Sequence, residues 1–198
     1  MSVNALEHDY PQRGAAGGWL NRPEHYGGLS IAMHWLMLLL MVAVYASIEL
    51  RELFPKGSDP REALKRLHFM LGLSVLALVW VRIALIAFRP LPRVVPAPPR
   101  WQHLAGKLMH LALYLLMVLA PLAGWLTLSA EGKDIPFFGL HLPALAPANE
   151  SLADLAEEVH ETMGTVGYYL IGLHAAAALF HHYWLRDNTL RLMLPGRR

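Results

Sequence analysis

The stretch VHETMGTVGYYLIGLHAAAALFHHYW, residues 159–184, decides how the rest of this chain is interpreted. It carries four histidines among Gly, Ala, Leu, Tyr and Phe: His160, His174, His181 and His182. On a helix, positions seven residues apart share one narrow stripe, so His160, His174 and His181 face the same way. His160 and His174 would lie about 21 Å apart along the axis, near opposite edges of a hydrocarbon core about 30 Å thick. Imidazole is costly in lipid and is a good axial ligand for haem iron, so the stretch predicts a membrane haem protein.

Hydrophobicity predicts a membrane location for the whole chain. Of its 198 residues, 55% are apolar, and four apolar runs approach or exceed the roughly 18 residues that a spanning helix needs. These runs are 31–48, 68–87, 108–129 and 159–184. A soluble four-helix bundle would show regularly spaced polar residues, and LMLLLMVAV and LGLSVLALVWV contain almost none. The predicted fold class is therefore all-α, an integral membrane four-helix bundle.

The predicted domain, residues 29–195, lies between a flexible tail, residues 1–28, and a basic end, residues 196–198. The expected helices are Leu29–Ser47 with Ser30 as N-cap, Leu67–Phe88, Gln102–Ser129 and Val159–Trp184. The expected connections are a charged segment at 49–66, a proline-rich one at 89–101 and a long loop at 131–158. Lys and Arg number eleven in both tails and residues 82–107, against six in the other two loops. This asymmetry predicts that both termini are cytoplasmic.

Cysteine is absent, which excludes disulfides, thiolate-bound iron–sulfur clusters and covalent haem attachment. A zinc or di-iron centre would call for carboxylates or clustered ligands, and the one acid in the predicted spans, Glu161, lies at the boundary of the last span. For any single histidine, an interhelical hydrogen bond is the competing interpretation. Matched depth argues for haem, because it pairs His68 with His160 near the outer face and His34 with His174 near the inner face. The sequence thus predicts two bis-imidazole haem b groups between the helices, and transmembrane electron transfer.

Glycines and polar residues lie near these pairs in the sequence. Gly72, Gly164 and Gly167 leave room for a flat macrocycle or serve helix packing. Arg82 lies at inner depth, where it could bind haem propionates or a quinone, or snorkel to the interface. His110 is a third candidate ligand there or a proton donor. A quinone pocket could include His181, His182, Lys107 and Arg82, although interfacial anchoring is the alternative. On the outer side, Arg51, Lys65 and Arg66 could steer a small anion, or belong to a solvated loop.

Residues 29–195 resemble the bacterial cytochrome b561 family. The matching segments are LSIAMHWL at 29–36, RELFP at 51–55 and HETMGTVGYYLIGLHAAAALFHHYWLRDNTLRLMLP at 160–195. The resemblance implies an inner-membrane dihaem protein in which His34 and His174 ligate one haem and His68 and His160 the other. His110, His181 and His182 fall on further histidines of the family. The longer N-terminal tail departs from the family pattern.

The closing run is most like the members that oxidise superoxide and reduce ubiquinone. The resemblance therefore implies superoxide oxidation at the outer face, beside Lys65, Arg66 and Arg51, and ubiquinone reduction on the inner side. The expected partners are superoxide, ubiquinone and the lipid bilayer, with no nucleic acid, and a homo-oligomer or partner redox protein stays open. Two alternatives are a cytochrome b subunit that links the quinone pool to a hydrogenase or dehydrogenase, and a structural haem-carrying module.

Overall fold

The structure, a computed structural model, describes residues 18–23, 25–88 and 91–195. Across these residues the elements are α1 Gly28–Leu50, α2 Asp59–Ala87, α3 Arg100–Ala130, β1 Pro136–Phe137, β2 Leu140–His141 and α4 Glu150–Phe180. The two strands form a small antiparallel hairpin between α3 and α4. Each of the four helices is long and apolar enough to cross a membrane. The prediction of an all-α bundle of four membrane-length helices is confirmed.

The helices alternate in direction, so α1 begins and α4 ends at the same end of the bundle. Arg82, late in α2, lies 3.2 Å from the His34 ring, early in α1. Tyr45, late in α1, donates a 2.9 Å hydrogen bond to the carbonyl of Gly164, in the first half of α4. We call the end where α1 begins the terminal end. The opposite end, where the α1–α2 and α3–α4 connections lie, is the loop end.

Helix α2 begins well before the predicted Leu67. Its first residue is Asp59, with Pro60 next, a position where the missing N–H costs no helical hydrogen bond. Acidic side chains in the first turn, Asp59 and Glu62, favour the start because they face the positive end of the helix dipole. The predicted connection at 49–66 is therefore too long, and the true one is a short 3₁₀ turn, Arg51–Leu53, and a few further residues.

Arg61 holds this short connection together. Its side chain is buried and donates to the carbonyls of Arg51 at 3.1 Å and Phe54 at 3.0 Å. A third bond, 2.9 Å long, joins it to the Glu52 carboxylate. Nη1 and Nη2 of the guanidinium thus bind three acceptors, one of them a carboxylate, which stabilises a buried charge.

Helix α4 also begins earlier than predicted, at Glu150 instead of Val159. Asn149 is its N-cap, and the side-chain oxygen accepts a 3.0 Å bond from the Leu152 amide. The acidic piece at 149–158 is thus the first part of α4, and His160 lies inside the helix. At the other end a π turn, His181–Leu185, follows the regular helix, and the His181 amide still donates to the Ala177 carbonyl as in a regular α-helix.

A strap at the terminal end precedes α1. The amides of Gly28 and Leu29 donate to the carbonyls of Gly18 and Trp19, and the buried Asn21 side chain accepts from the Gly27 amide at 2.9 Å. Gly27 is the N-cap of α1, so the predicted Ser30 cap is wrong; Ser30 is a buried helical residue. Most of the predicted tail 1–28, namely 1–17 and residue 24, lies outside the described residues, as does the predicted end 196–198.

The apolar core lies midway along the bundle. Met37 of α1 packs with Val75 and Val79 of α2, and all three are buried. On α1 this layer lies between His34 and Val44. On α2 it lies between His68 and Arg82. A second cluster of Leu73, Leu128 and Ile135 packs at the loop end, where Phe137 of the hairpin joins it.

Gly167 is a close-packed position where α4 meets Tyr45 of α1 and Leu116 of α3. It is buried on α4, and a methyl group added there would overlap the Tyr45 hydroxyl and approach Leu116 Cδ2 to 3.0 Å. We expect Gly167→Ala to destabilise the protein by about 1–3 kcal/mol, because Tyr45 must move from its bond to Gly164. Thermal melting in detergent measures this, with Gly172→Ala on the same helix as the control, since its added methyl meets no atom within 4 Å. Equal melting temperatures for the two variants would contradict the expectation.

Candidate functional site

His68 and His160 face each other at the loop end, with ring centroids 5.9 Å apart. The Nδ1 of His68 donates to the Val44 carbonyl at 3.0 Å, and the Nδ1 of His160 donates to the Ala120 carbonyl at 2.8 Å. A carbonyl can only accept, so in each neutral ring the proton resides on Nδ1 and the lone pair on Nε2. Both rings are thereby held by neighbouring helices with a ligating nitrogen free.

Gly124 makes room for one of these rings. A Cβ atom at this position would lie 3.1 Å from Cε1 and 3.2 Å from Nδ1 of His160, a tight contact that would require the ring to shift. The glycine therefore lets His160 lie against α3 and reach the Ala120 carbonyl. Sequence reasoning gave Gly124 no role; a glycine within an apolar span, one turn after Pro121, was the available signal.

A cavity of about 560 Å³ opens beside the His68–His160 pair. This volume is within the range of about 300–1,000 Å³ typical of cofactor sites. Gly72 and Gly164 line it, and a Cβ added at either glycine meets no atom within 4 Å. Both glycines consequently face open space, as the sequence analysis required of residues that accommodate a macrocycle.

Charged side chains surround the mouth of this cavity. The lining includes three cations, Arg51, Lys65 and Lys133, and each lies in an ion pair with a neighbouring glutamate, at 2.9, 3.1 and 2.8 Å respectively. Five glutamates also line it: Glu49, Glu62, Glu131, Glu157 and Glu161. Arg66, which the sequence grouped with Arg51 and Lys65, is exposed and does not line the cavity.

Three histidines converge at the terminal end. The ring of His174 lies 6.4 Å from that of His34 and 5.5 Å from that of His110, measured between centroids. Arg82 points its Nη2 atom at Nδ1 of His34, 3.2 Å away. Because a guanidinium only donates hydrogen bonds, Nδ1 of His34 accepts this one, unlike Nδ1 of His68 or His160. The structure thus brings Arg82, His34, His110 and His174 together.

His181 and His182 lie in the π turn beyond this cluster. Nδ1 of His181 pairs with the carboxylate of the buried Asp187, whereas Nδ1 of His182 is buried without a hydrogen-bond partner among the described residues. Burial alone would raise the pKa of Asp187, but hydrogen bonds from His181 and Thr189 outweigh it and hold that pKa below its ordinary value. Of the residues predicted for a quinone pocket, Arg82 contacts His34, and His181 contacts Asp187. Lys107 is exposed. Sequence reasoning gave Asp187 no role; its only signal is an acid within a basic tail.

A comparison with known families places the whole chain in one of them. A family model described as "Prokaryotic cytochrome b561" matches residues 25–196. The chain belongs to the prokaryotic cytochrome b561 family. Membership makes it a membrane electron-transfer protein, and the family implies haem b.

Three relatives of this cytochrome cover most of its length. Cytochrome b561 homolog 1 of Escherichia coli (strain K12) is 39% identical over 85% of this chain and 96% of its own length. A protein of Yersinia pestis named "Probable superoxide oxidase CybB" is 39% identical over 87% of this chain and 97% of its own length. Cytochrome b561 homolog 2 of Escherichia coli (strain K12) is 30% identical, over 88% of this chain and 93% of that protein.

The ring spacing of both histidine pairs of the cytochrome is compatible with two imidazoles on one haem iron. Metal–imidazole bonds of about 2 Å on each side, with half of each ring, place two axial ring centroids about 6 Å apart. The observed separations are 5.9 Å for His68–His160 and 6.4 Å for His34–His174. At the terminal end, His34 could bind iron through Nε2 only if Nδ1 gave up its bond from Arg82. The loop-end pair also has the open cavity beside Gly72 and Gly164 into which a macrocycle would extend.

Proposed function

We propose that this cytochrome oxidises superoxide to oxygen at its loop end and reduces ubiquinone at its terminal end. The observation that carries the proposal is the 39% identity to the probable superoxide oxidase of Yersinia pestis, across 97% of that protein. The loop end would face the periplasm and the terminal end the cytoplasm. Eleven of the 17 Lys and Arg residues belong to the two tails and residues 82–107 of the sequence, against six in the other two loops, and this asymmetry supports the orientation.

Four histidines would hold two haem b groups. His68 and His160 would bind one at the loop end, and His34 and His174 the other at the terminal end. Bound haem would supply reversible one-electron chemistry. Iron held by two imidazoles would have no vacant position for oxygen, so it would transfer electrons without binding oxygen. In the balanced reaction two superoxide anions lose one electron each, and one ubiquinone gains two electrons and two protons to become ubiquinol.

The loop-end residues would guide the anionic substrate. Arg51 and Lys65 line the cavity mouth, although both are paired with glutamate. Exposed ion pairs are worth only about 0–1 kcal/mol, so either cation can turn from its glutamate to an arriving anion. Arg66 is exposed close by on the same turn of α2 and adds charge without lining the cavity.

The terminal-end residues would bind ubiquinone and deliver its protons. His110, His181 and His182 are the proton-carrying side chains near this end, and Asp187 holds the His181 ring by its Nδ1 atom. An imidazole oriented by a carboxylate can pass a proton from its other nitrogen to a quinone oxygen. Arg82, which contacts His34, is the cation at this end that would bind a haem propionate or a quinone carbonyl.

A superoxide pulse tests the proposed reaction. We expect the purified, oxidised cytochrome to show rapid haem reduction in its absorption spectrum, and added ubiquinone to restore the oxidised spectrum. Lys65→Gln should slow the bimolecular step by at most about tenfold at low salt, because a charge lining the cavity is lost. Arg66→Gln is the matched control and should slow it less. Absence of fast reduction would refute superoxide as donor, and copurification with a dehydrogenase would then favour the partner-subunit alternative.

A further inference from the structure

The loop-end cavity is apolar at its inner end and charged at its mouth. Met41 and Glu49 of α1 both line it, and the eight positions between them correspond to about 12 Å along the helix axis. Val75 and Leu116 line the inner end, whereas three cations and five glutamates line the mouth. Haem b has the same polarity, because its two propionate carboxylates lie on one edge of an otherwise apolar macrocycle. A carboxylate is costly among apolar side chains, so the propionate edge fits at the mouth.

The end of α3 holds one of these cations, Lys133, at the mouth. The amide of Gly132 donates to the Ser129 carbonyl and that of Lys133 donates to the Leu128 carbonyl, each at 3.0 Å. Gly132 has a φ of +68°, and this backbone conformation with these two bonds is the usual glycine termination of a helix. Two positions later, Ile135 is buried at 2% exposure. The backbone of Lys133 is therefore anchored on both sides, and its side chain lines the cavity.

The ammonium of Lys133 can accept a second carboxylate. Its Nζ donates at 2.8 Å to Glu131, the one partner it has among the described residues. An ammonium has three N–H donors, so two are left. The side chain is 62% exposed, and an exposed ion pair of this kind is worth only about 0–1 kcal/mol. Arg51 is less available, because its guanidinium donates to the same Glu52 oxygen that accepts from the buried Arg61.

We propose that Lys133 binds a propionate of the loop-end haem and so determines which edge of the macrocycle faces the mouth. The lysine also offsets the repulsion between that propionate and the glutamates of the mouth. Arg51 and Lys65, on the α1–α2 side, are left to meet an arriving anion. This inference rests on the proposed ligand assignment of His68 and His160, and it does not depend on which donor or acceptor the cytochrome uses.

Transfer of haem from the purified holoprotein to excess apomyoglobin, followed in the Soret band, tests the role of Lys133. We expect Lys133→Gln to release the loop-end haem about two- to fivefold faster, the size expected for one exposed ion pair. The same change should appear in His174→Ala, which should keep only this haem. Lys133→Arg keeps the charge and should restore slow release. Lys56→Gln is the matched control, because Lys56 is an exposed cation at the same end that does not line the cavity.

Reconstitution with haem dimethyl ester, which lacks the propionate charges, separates a direct contact from a structural effect. With this haem, release should be equally fast from the unmodified protein and from Lys133→Gln. A difference that persists with the ester, an unchanged rate in Lys133→Gln with ordinary haem, or an equal effect of Lys56→Gln would overturn the inference. Haem content of His160→Ala tests the ligand assignment separately. A failed superoxide reaction with these release rates intact would remove only the proposed donor.

Discussion

Replacing His160 by Ala should remove the haem at the loop end and leave the other, whereas His174→Ala should do the opposite. A bis-histidine haem depends on both axial bonds, and here no thiolate can substitute because the chain contains no cysteine. The two histidines are 14 positions apart, which corresponds to about 21 Å along α4. Each ring therefore belongs to a separate site. Haem-to-protein ratios from pyridine adducts of the purified variants give the measurement, and we expect half of the unmodified ratio in each.

His103→Ala is the control for these variants. His103 is exposed on the first turn of α3 and takes part in neither pair, so its loss should leave the haem ratio unchanged. The remaining haem should also differ between His160→Ala and His174→Ala in its midpoint potential. Retention of both haems in either variant would show that the ligand assignment is wrong.

Filling the loop-end cavity should have a comparably large effect. Gly164→Leu would project an isobutyl group into the 560 Å³ space where the macrocycle is expected, so this variant should lose the loop-end haem. In the haem-free fold this position opens on free space, since a Cβ added at residue 164 meets no atom within 4 Å. The polypeptide should therefore still fold, with helical circular dichroism close to that of the unmodified protein.

Gly172→Leu is the matched control, on the same helix and with equally open surroundings. Gly172 does not line the cavity, so this variant should keep both haems. Spectra recorded on both variants at equal protein concentration separate loss of haem from loss of protein. Full haem content in Gly164→Leu would mean that the macrocycle extends in another direction from His68 and His160.

The spans and the depths of the histidines could be predicted because both follow from local rules. Apolar runs of membrane length give the four helices, and the 1.5 Å rise per residue gives the height of each histidine. Height along the membrane normal was enough to pair His68 with His160 and His34 with His174. In the structure the ring centroids of these pairs are 5.9 and 6.4 Å apart. A membrane helix fixes its axis with little ambiguity, which makes one-dimensional reasoning effective here.

Features that depend on the rotation of one helix against another could not be predicted in this way. The carbonyls of Val44 and Ala120 look like any others in the sequence, yet they hold the loop-end rings. Gly124 matters because His160 crosses it, and Gly167 because Tyr45 does. Each contact joins residues of different helices, whose relative rotation the hydrophobic pattern leaves undetermined.

The early starts of α2 and α4 have another cause. Charged residues at 59–66 and 149–158 were assigned to connections because they are polar, but they form the first turns of helices that extend beyond the apolar spans. Hydrophobicity marks where lipid ends and says nothing about where a helix ends. The capping residue Asn149 and the acids at the start of α2 were the better guides.

The layer of Met37, Val75 and Val79 between the two ends has an energetic consequence for turnover. Thioether and aliphatic groups offer no relay for protons, whereas electrons can tunnel past them. In the proposed orientation, each electron that moves inward crosses the membrane without a compensating proton and opposes a potential that is negative inside. That transfer costs about 2.3 kcal/mol per 100 mV. An energised membrane should therefore slow the cytochrome, and an uncoupler should accelerate it.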